Sequence, residues 1–134
     1  MTPEQKMKAL VIAKFWEWEQ PTVPVTLTAD NVDDLYDEIE GEDYTLQDAR
    51  SEVRCGVHET GLPAPHSRHY ESKSVAAQTL DGSWVGWTYW YGGGKHGVPE
   101  AIDWMDEAYD LKVTEEEKMV VVRTFELIEE TTPA

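Results

Sequence analysis

The sequence is short of cysteine and of long apolar runs. Cys55 is the single cysteine among 134 residues, so no intrachain disulfide can form, which fits a reducing cytoplasm. No stretch approaches the ~18 apolar residues that a membrane helix needs. The first residues, Met1–Glu4, lack the basic and apolar regions of a signal peptide. We therefore expect a cytoplasmic protein with no membrane segment.

Positive charge is also scarce. Lys and Arg number 11 against 27 Asp and Glu, which gives a formal net charge of −16. Such an excess repels phosphate backbones and anionic lipid, so it argues against direct binding to nucleic acid or membrane. It suits a basic partner protein or a divalent cation, or it serves solubility alone.

The motifs of common enzyme classes are missing. The chain contains no G-x-x-x-x-G-K-[ST] or G-x-G-x-x-G loop and no G-x-S-x-G nucleophile elbow. We therefore predict a non-enzymatic protein without a cofactor. Carboxylate pairs for hydrolysis cannot be singled out from the sequence, because so many acids always offer pairs.

Aromatic and apolar residues supply enough surface for one core. Hydrophobic residues make up 40% of the chain, with six Trp and six Tyr. We predict one α+β domain over residues 1–134, with helices in residues 1–55 and a ββαβ unit in residues 67–128. Three or four antiparallel strands would surround a Trp-rich central hairpin, packed by the N-terminal helices and by one helix before the last strand.

Helix signals are clearest at the N-terminus. Thr2 is a candidate N-cap, Pro3 fits the first helical position, and Gln5 completes a capping box. Apolar spacing predicts that this helix ends before Pro21 and that two more helices span 29–40, stopped by Gly41, and 46–54, capped by Thr45. A fourth helix is predicted to begin at Pro99. Its apolar stripe comprises Val98, Ile102, Met105 and Tyr109.

Strand signals are strongest in a hairpin from about Ser72 to Tyr91. Strands at 73–80 and 83–91 flank Asp81-Gly82, a pair that favours a two-residue type I′ turn. Gly56 to Ser67 reads as loop. The β-branched run 118–127 predicts the last strand, and the tail after Glu129 is expected to be loosely held.

The acids supply the first candidate site. Between Phe15 and Ala49 there is no Lys or Arg, and eleven acids occur. Carboxylates four residues apart on a helix are separated by about 6 Å, close to the spacing of successive phosphates. The predicted partner-binding residues are acids of the second helix, two acids of the predicted fourth helix and hairpin aromatics: Asp33, Asp34, Asp37, Glu38, Glu40, Asp103, Glu107, Trp87, Tyr89 and Tyr91. The alternative is that the acids form a solvated face and the aromatics a core strand.

Two weaker candidates involve a loop and a metal set. Gly93, Gly94, Lys95 and His96 precede a predicted helix and could hold an anion, or simply form a flexible turn. Cys55-x2-His58 and His66-x2-His69 pair potential zinc ligands at knuckle-like spacing. The pairs are closer together in sequence than zinc fingers usually allow, so surface histidines and a structural thiol are the alternative.

The hairpin also carries a family resemblance. The segment DGSWVGWTYWYGGGKHG, from Asp81 to Gly97, continues into Pro99–Trp104 and resembles one in small phage- and prophage-encoded proteins of enterobacteria and pseudomonads. The resemblance extends from about Ser67 to Phe125 and transfers no catalytic residue. It implies an accessory protein of the anti-CRISPR or anti-restriction type, which mimics nucleic acid and inhibits a basic host protein.

Three functions stay open at this point. The first is that inhibitor. The second is a small ligand- or metal-dependent enzyme or binding protein with its site where the 92–97 loop meets the Trp face. The third is a phage structural or assembly component.

Overall fold

The computed structural model describes residues 1–128, which form three helices followed by a four-stranded antiparallel sheet. The helices are α1 (Pro3–Trp18), α2 (Val32–Glu42) and α3 (Thr45–Arg54). The strands are β1 (His58–Glu59), β2 (Glu71–Gln78), β3 (Trp84–Tyr91) and β4 (Tyr109–Leu111), in the order β1-β2-β3-β4. The predicted α+β class is confirmed, and no helix within residues 1–128 is both long and apolar enough to cross a membrane.

The capping box predicted for α1 is present. The backbone N–H of Gln5 donates to Thr2 Oγ1 at 3.2 Å, and that of Thr2 donates to Gln5 Oε1 at 2.9 Å. These bonds satisfy two donors that a helix start otherwise leaves free. The helix then buries Met7, Val11 and Ile12 completely.

The next two helices differ from prediction at their ends. Gly41 does not stop α2, which runs on to Glu42 and closes with a bond from the Asp43 N–H to the Ile39 carbonyl. Thr45 does not cap α3 but lies inside it, and its N–H donates to the Asp43 carboxylate at 2.8 Å. Asp43 therefore ends α2 through its backbone N–H and binds the first residue of α3 through its carboxylate.

The hairpin of β2 and β3 lies at the centre of the sheet. Val75 is paired with Trp87 and Ala77 with Val85, and these four buried side chains face the helices. One core contains them together with side chains from all three helices and with Trp104 and Met105. The predicted central Trp-rich hairpin is therefore confirmed.

The turn of this hairpin is not the predicted type I′ turn. Gly82 has φ +89°, whereas Asp81 keeps a negative φ, and a type I′ turn needs positive φ at both positions. The Gly82 N–H donates to the Thr79 carbonyl, and the Thr79 N–H donates to Ser83, so the loop has three residues. The Asp81 carboxylate accepts from Thr79 Oγ1, from Ser83 Oγ at 2.7 Å and from the Ser83 N–H at 2.9 Å. These bonds place the pKa of Asp81 far below its ordinary value.

The predicted fourth helix is wrong. Residues 99–101 form one 3-10 turn, Trp104 and Met105 enter the core from an irregular segment, and Tyr109 begins β4. Gly86 explains the change, because β4 pairs Tyr109 with Gly86, and a Cβ on that glycine would lie 2.5 Å from the Tyr109 ring. The ring covers a strand position that has no side chain of its own.

Two further corrections concern strands. The loop predicted from Gly56 to Ser67 contains β1, whose two residues pair with Val75 and Ala76. The strand predicted over 118–127 is absent, and the side chains of this segment are exposed. The predicted loose tail after Glu129 lies outside the described residues.

Candidate functional site

The acidic face of α2 is the main candidate site. The helix buries Val32 and Tyr36 and turns its carboxylates outward. Four predicted acids are exposed, and within residues 1–128 none of them forms an ion pair or hydrogen bond. They are Asp34, Asp37, Glu38 and Glu40. These carboxylates are available to a partner.

Asp33 behaves differently from its neighbours. Its Oδ1 lies 2.9 Å from Lys8 Nζ, and its Oδ2 accepts from Gln5 Nε2 at 3.0 Å. The hydrogen bond from Lys8, followed by that from Gln5, lowers the pKa of Asp33 below its ordinary value. The same contact raises the pKa of Lys8. Asp33 therefore fastens α2 to α1, and this predicted binding residue is already engaged.

The acids of residues 103–107 lie next to α2. Asp103 and Glu107 are exposed on either side of buried Trp104 and Met105. The Tyr36 hydroxyl of α2 donates to Met105 Sδ at 3.8 Å, which joins the two segments. Burial raises the pKa of Tyr36, so the phenol stays protonated as this donor. The structure thus brings both predicted groups of acids into neighbouring segments.

The hairpin aromatics divide into core and surface. Trp87 is fully buried, its Nε1 donates to the Arg54 carbonyl at 2.9 Å, and it packs on Trp104. It cannot be an exposed anchor, because its side chain lies in the core between the sheet and the helices. Tyr89 and Tyr91 are half-buried and stack with ring centroids 5.3 Å apart. Of the three predicted anchors, only these two reach the surface.

The glycine-rich loop offers no helix dipole. Gly94–His96 is a single 3-10 turn, and the predicted helix after it is missing. Gly93 lies against the Tyr70 ring, and the Tyr70 hydroxyl accepts from the Val98 N–H at 3.2 Å. The glycines therefore let the chain pass close to Tyr70. Lys95 and His96 are exposed at the turn.

The four predicted zinc ligands are not brought together. Exposed Cys55 follows α3, and His58 lies in β1 with its ring 5.4 Å from that of Trp84. His66 and His69 lie in the following loop, at a groove. No group of three or more His, Cys, Asp or Glu side chains in residues 1–128 is placed to hold a metal. Pairing of β1 with β2 fixes His58 in the sheet, so the knuckle-like spacing does not become a knuckle.

An open groove of about 660 Å³ lies between the 61–70 loop and the start of β2. Sequence reasoning missed it, because a loop's path over a sheet has no local signal. Several cationic or titratable side chains line it together with Glu59, which pairs with Lys73 at 2.6 Å. The others are His66, Arg68, His69 and Tyr91. Glu71 also lines it, so Arg68 and Lys73 share the groove with two carboxylates.

Comparison with known proteins adds no relative. No protein-family model, curated protein or solved structure matches the chain. The resemblance of the Trp-rich segment to phage proteins stays a prediction.

Proposed function

We propose that the chain is a non-enzymatic inhibitor that binds a basic, nucleic-acid-handling host protein through the exposed carboxylates of α2. In this proposal it is a phage accessory protein of the anti-CRISPR or anti-restriction type. The observation that carries the proposal is the set of outward acids on α2 that have no partner within residues 1–128.

The spacing of these acids suits a phosphate-binding groove. Asp34, Asp37 and Glu38 lie at i, i+3 and i+4 of one helix. Asp34 and Glu38 are therefore about 6 Å apart along the axis, which is near the spacing between successive phosphates. A groove that binds a nucleic-acid backbone with Lys and Arg can bind such a row instead.

Rigid attachment of α2 supports the same proposal. The Lys8–Asp33 pair and the buried Val32 and Tyr36 hold the helix against the core. A pre-formed row of charges avoids the ordering cost that a flexible acidic segment would incur on binding. Like charges at i, i+4 destabilise an isolated helix by about 0.2–0.5 kcal/mol a pair, and this cost is compatible with their use in binding.

A pair of matched variants tests the proposal. The first variant carries Asp34→Asn, Asp37→Asn and Glu38→Gln. The control carries Glu115→Gln, Glu116→Gln and Glu117→Gln, which changes the net charge equally in an exposed segment away from α2. Each tagged protein is used to capture partners from an enterobacterial lysate, with salt raised from about 50 to about 500 mM.

The expected result is a nucleic-acid-binding protein that the wild type and the control retain at low salt, that the α2 variant loses, and that added duplex DNA displaces. Equal capture by the α2 variant and the control contradicts the proposal. So does capture that duplex DNA does not displace.

A second candidate function is the binding of a small anion in the open groove. The observation in its favour is that Arg68, His66 and His69 line one cavity, beside the Lys73–Glu59 pair and Glu71. A thermal-shift screen with nucleotides and inorganic phosphate is the test, because a ligand that binds the folded state raises its melting temperature. The shift should disappear in Arg68→Ala. No shift with any compound excludes this candidate.

A further inference from the structure

The segment Lys118–Ile128 has the composition of a strand but no pairing. Five of its eleven residues are Val, Thr or Ile, which favour strands. Within residues 1–128 no strand pairs with it. Seven large apolar side chains are 73–104% exposed, namely Met119, Val120, Val121, Val122, Phe125, Leu127 and Ile128. Soluble chains rarely leave so long an apolar, unpaired segment uncovered.

The chain's own sheet offers this segment little to pair with. The outer strands are β1, with two residues, and β4, with three. An eleven-residue strand extends about 36 Å, longer than any strand of the sheet. A partner strand of comparable length is therefore needed, and the segment itself is one.

We propose that Lys118–Glu126 pairs antiparallel with the same residues of a second copy, centred on Val122. In this register Lys118 faces Glu126 of the other strand at each end. Met119 faces Phe125, Val120 faces Thr124, and the two Val122 residues face each other. Every charged or large apolar residue from 118 to 126 then meets a compatible partner, except that Arg123 faces Val121.

Charge favours one centre among the six from between Val120 and Val121 to Arg123, because only the register centred on Val122 places Lys118 opposite Glu126. Shifting it to Arg123 places the two Arg123 residues opposite each other, and shifting it to lie between Val120 and Val121 places Lys118 opposite Arg123. Like charges directly opposite are destabilising in a sheet. The register centred on Val122 avoids both clashes.

The choice of a second copy also follows from charge. This segment carries Lys118 and Arg123 against Glu126, whereas the chain as a whole has a net charge of −16. Two copies thus meet at a segment that is not itself acidic. A basic partner is a poor fit here, so the inference goes beyond the proposed function of α2 and can fail separately.

Cysteine cross-linking tests the register. The full chain with Cys55→Ser carries no thiol, and Val122→Cys then adds one at the proposed centre. Facing residues of antiparallel strands have Cα atoms about 4.5–5.5 Å apart, within the range of a disulfide. Val120→Cys is the control, because its two copies would be offset by about 13 Å along the strands. We expect disulfide-linked dimers for Val122→Cys in glutathione redox buffer, formed at least tenfold faster than for Val120→Cys.

Light scattering after size exclusion tests the association itself. At about 100 µM the wild type should have twice the 15.3 kDa chain mass, because a dimer with Kd near 10 µM is then mostly formed. Val122→Lys should raise Kd about a hundredfold or more, since it sets two like charges face to face. Val57→Lys, at another exposed valine outside the segment, should leave Kd unchanged.

Exchanging the charges of Lys118 and Glu126 distinguishes this register from simple repulsion between two acidic chains. Lys118→Glu and Glu126→Lys should each weaken the dimer, although the second makes the chain less acidic, and the double swap should restore it. A protein that stays monomeric at all concentrations overturns the proposal. So does a dimer whose Kd is unchanged by Val122→Lys, or equal rates of cross-linking through cysteines at positions 120 and 122.

Discussion

Lys8 Nζ lies 2.9 Å from Asp33 Oδ1, while the next residue, Asp34, has no ion pair within residues 1–128. Two adjacent acids of one helix therefore have different roles. Asp33 holds α2 on α1, and Asp34 points to solvent as part of the proposed binding face.

This difference gives the first prediction. Asp33→Asn should lower the free energy of unfolding at pH 7, whereas Asp34→Asn should leave it unchanged. The folded state lowers the pKa of Asp33, so the pair contributes fully above the unfolded value of about 3.9 and is lost as the pH falls through the folded value. Urea unfolding at several pH values measures this. The difference in free energy of unfolding between Asp33→Asn and the wild type should become smaller below about pH 4. A difference that does not change with pH would show that the charge of Asp33 is not its cause.

The second prediction concerns the buried indole of Trp87. Trp87→Phe removes core volume and leaves the Arg54 carbonyl, its acceptor at 2.9 Å, without a donor. We expect a loss of about 2–4 kcal/mol from the free energy of unfolding. Trp18→Phe at the exposed end of α1 is the matched control and should change stability by less than about 0.5 kcal/mol. Similar losses in both variants would show that the helix-facing assignment of Trp87 is wrong.

The third prediction compares two glycines. Gly86→Ala places a Cβ 2.5 Å from the Tyr109 ring and 2.8 Å from Leu111, so β4 must move away. We expect a loss of about 1–3 kcal/mol, with faster amide exchange in residues 109–111. Gly41→Ala in α2 meets nothing within 4 Å and should stabilise by up to about 1 kcal/mol. Urea unfolding should show that Gly86→Ala lowers the free energy of unfolding and that Gly41→Ala raises it.

The fourth prediction concerns metal. Cys55, His58, His66 and His69 are not assembled into a ligand set in the described part of the chain. Incubation with EDTA should therefore leave the melting temperature unchanged, and the variant Cys55→Ser should melt with the wild type. A melting temperature that falls with EDTA and recovers with added zinc would contradict this prediction and support the zinc hypothesis.

Local signals predicted those elements whose stabilising contacts are close in sequence. The capping box of α1 spans four residues, and the central hairpin needs only a turn and alternating side chains. Pro99 and the stripe to Tyr109 were misleading for the same reason. Helical spacing there was real, but pairing of Tyr109 with distant Gly86 outweighed it.

The candidate site shows the same division. The row of acids on α2 was predictable, because helical spacing and the absence of Lys and Arg are visible in the sequence. The groove at the 61–70 loop was not, since its walls come from separated segments that the loop's path brings together.

The sequence by itself determined the acidic charge, the three N-terminal helices and the Trp-rich hairpin, because propensity, capping and turn chemistry act over a few residues. The tertiary structure alone decided which acids remain available and which aromatics are core. Lys8 and Asp33 are 25 residues apart, and Arg54 and Trp87 are 33 apart. Contacts of that range exist only once the helices pack on the sheet, because closing such long loops requires the burial of the whole core to offset the lost chain entropy.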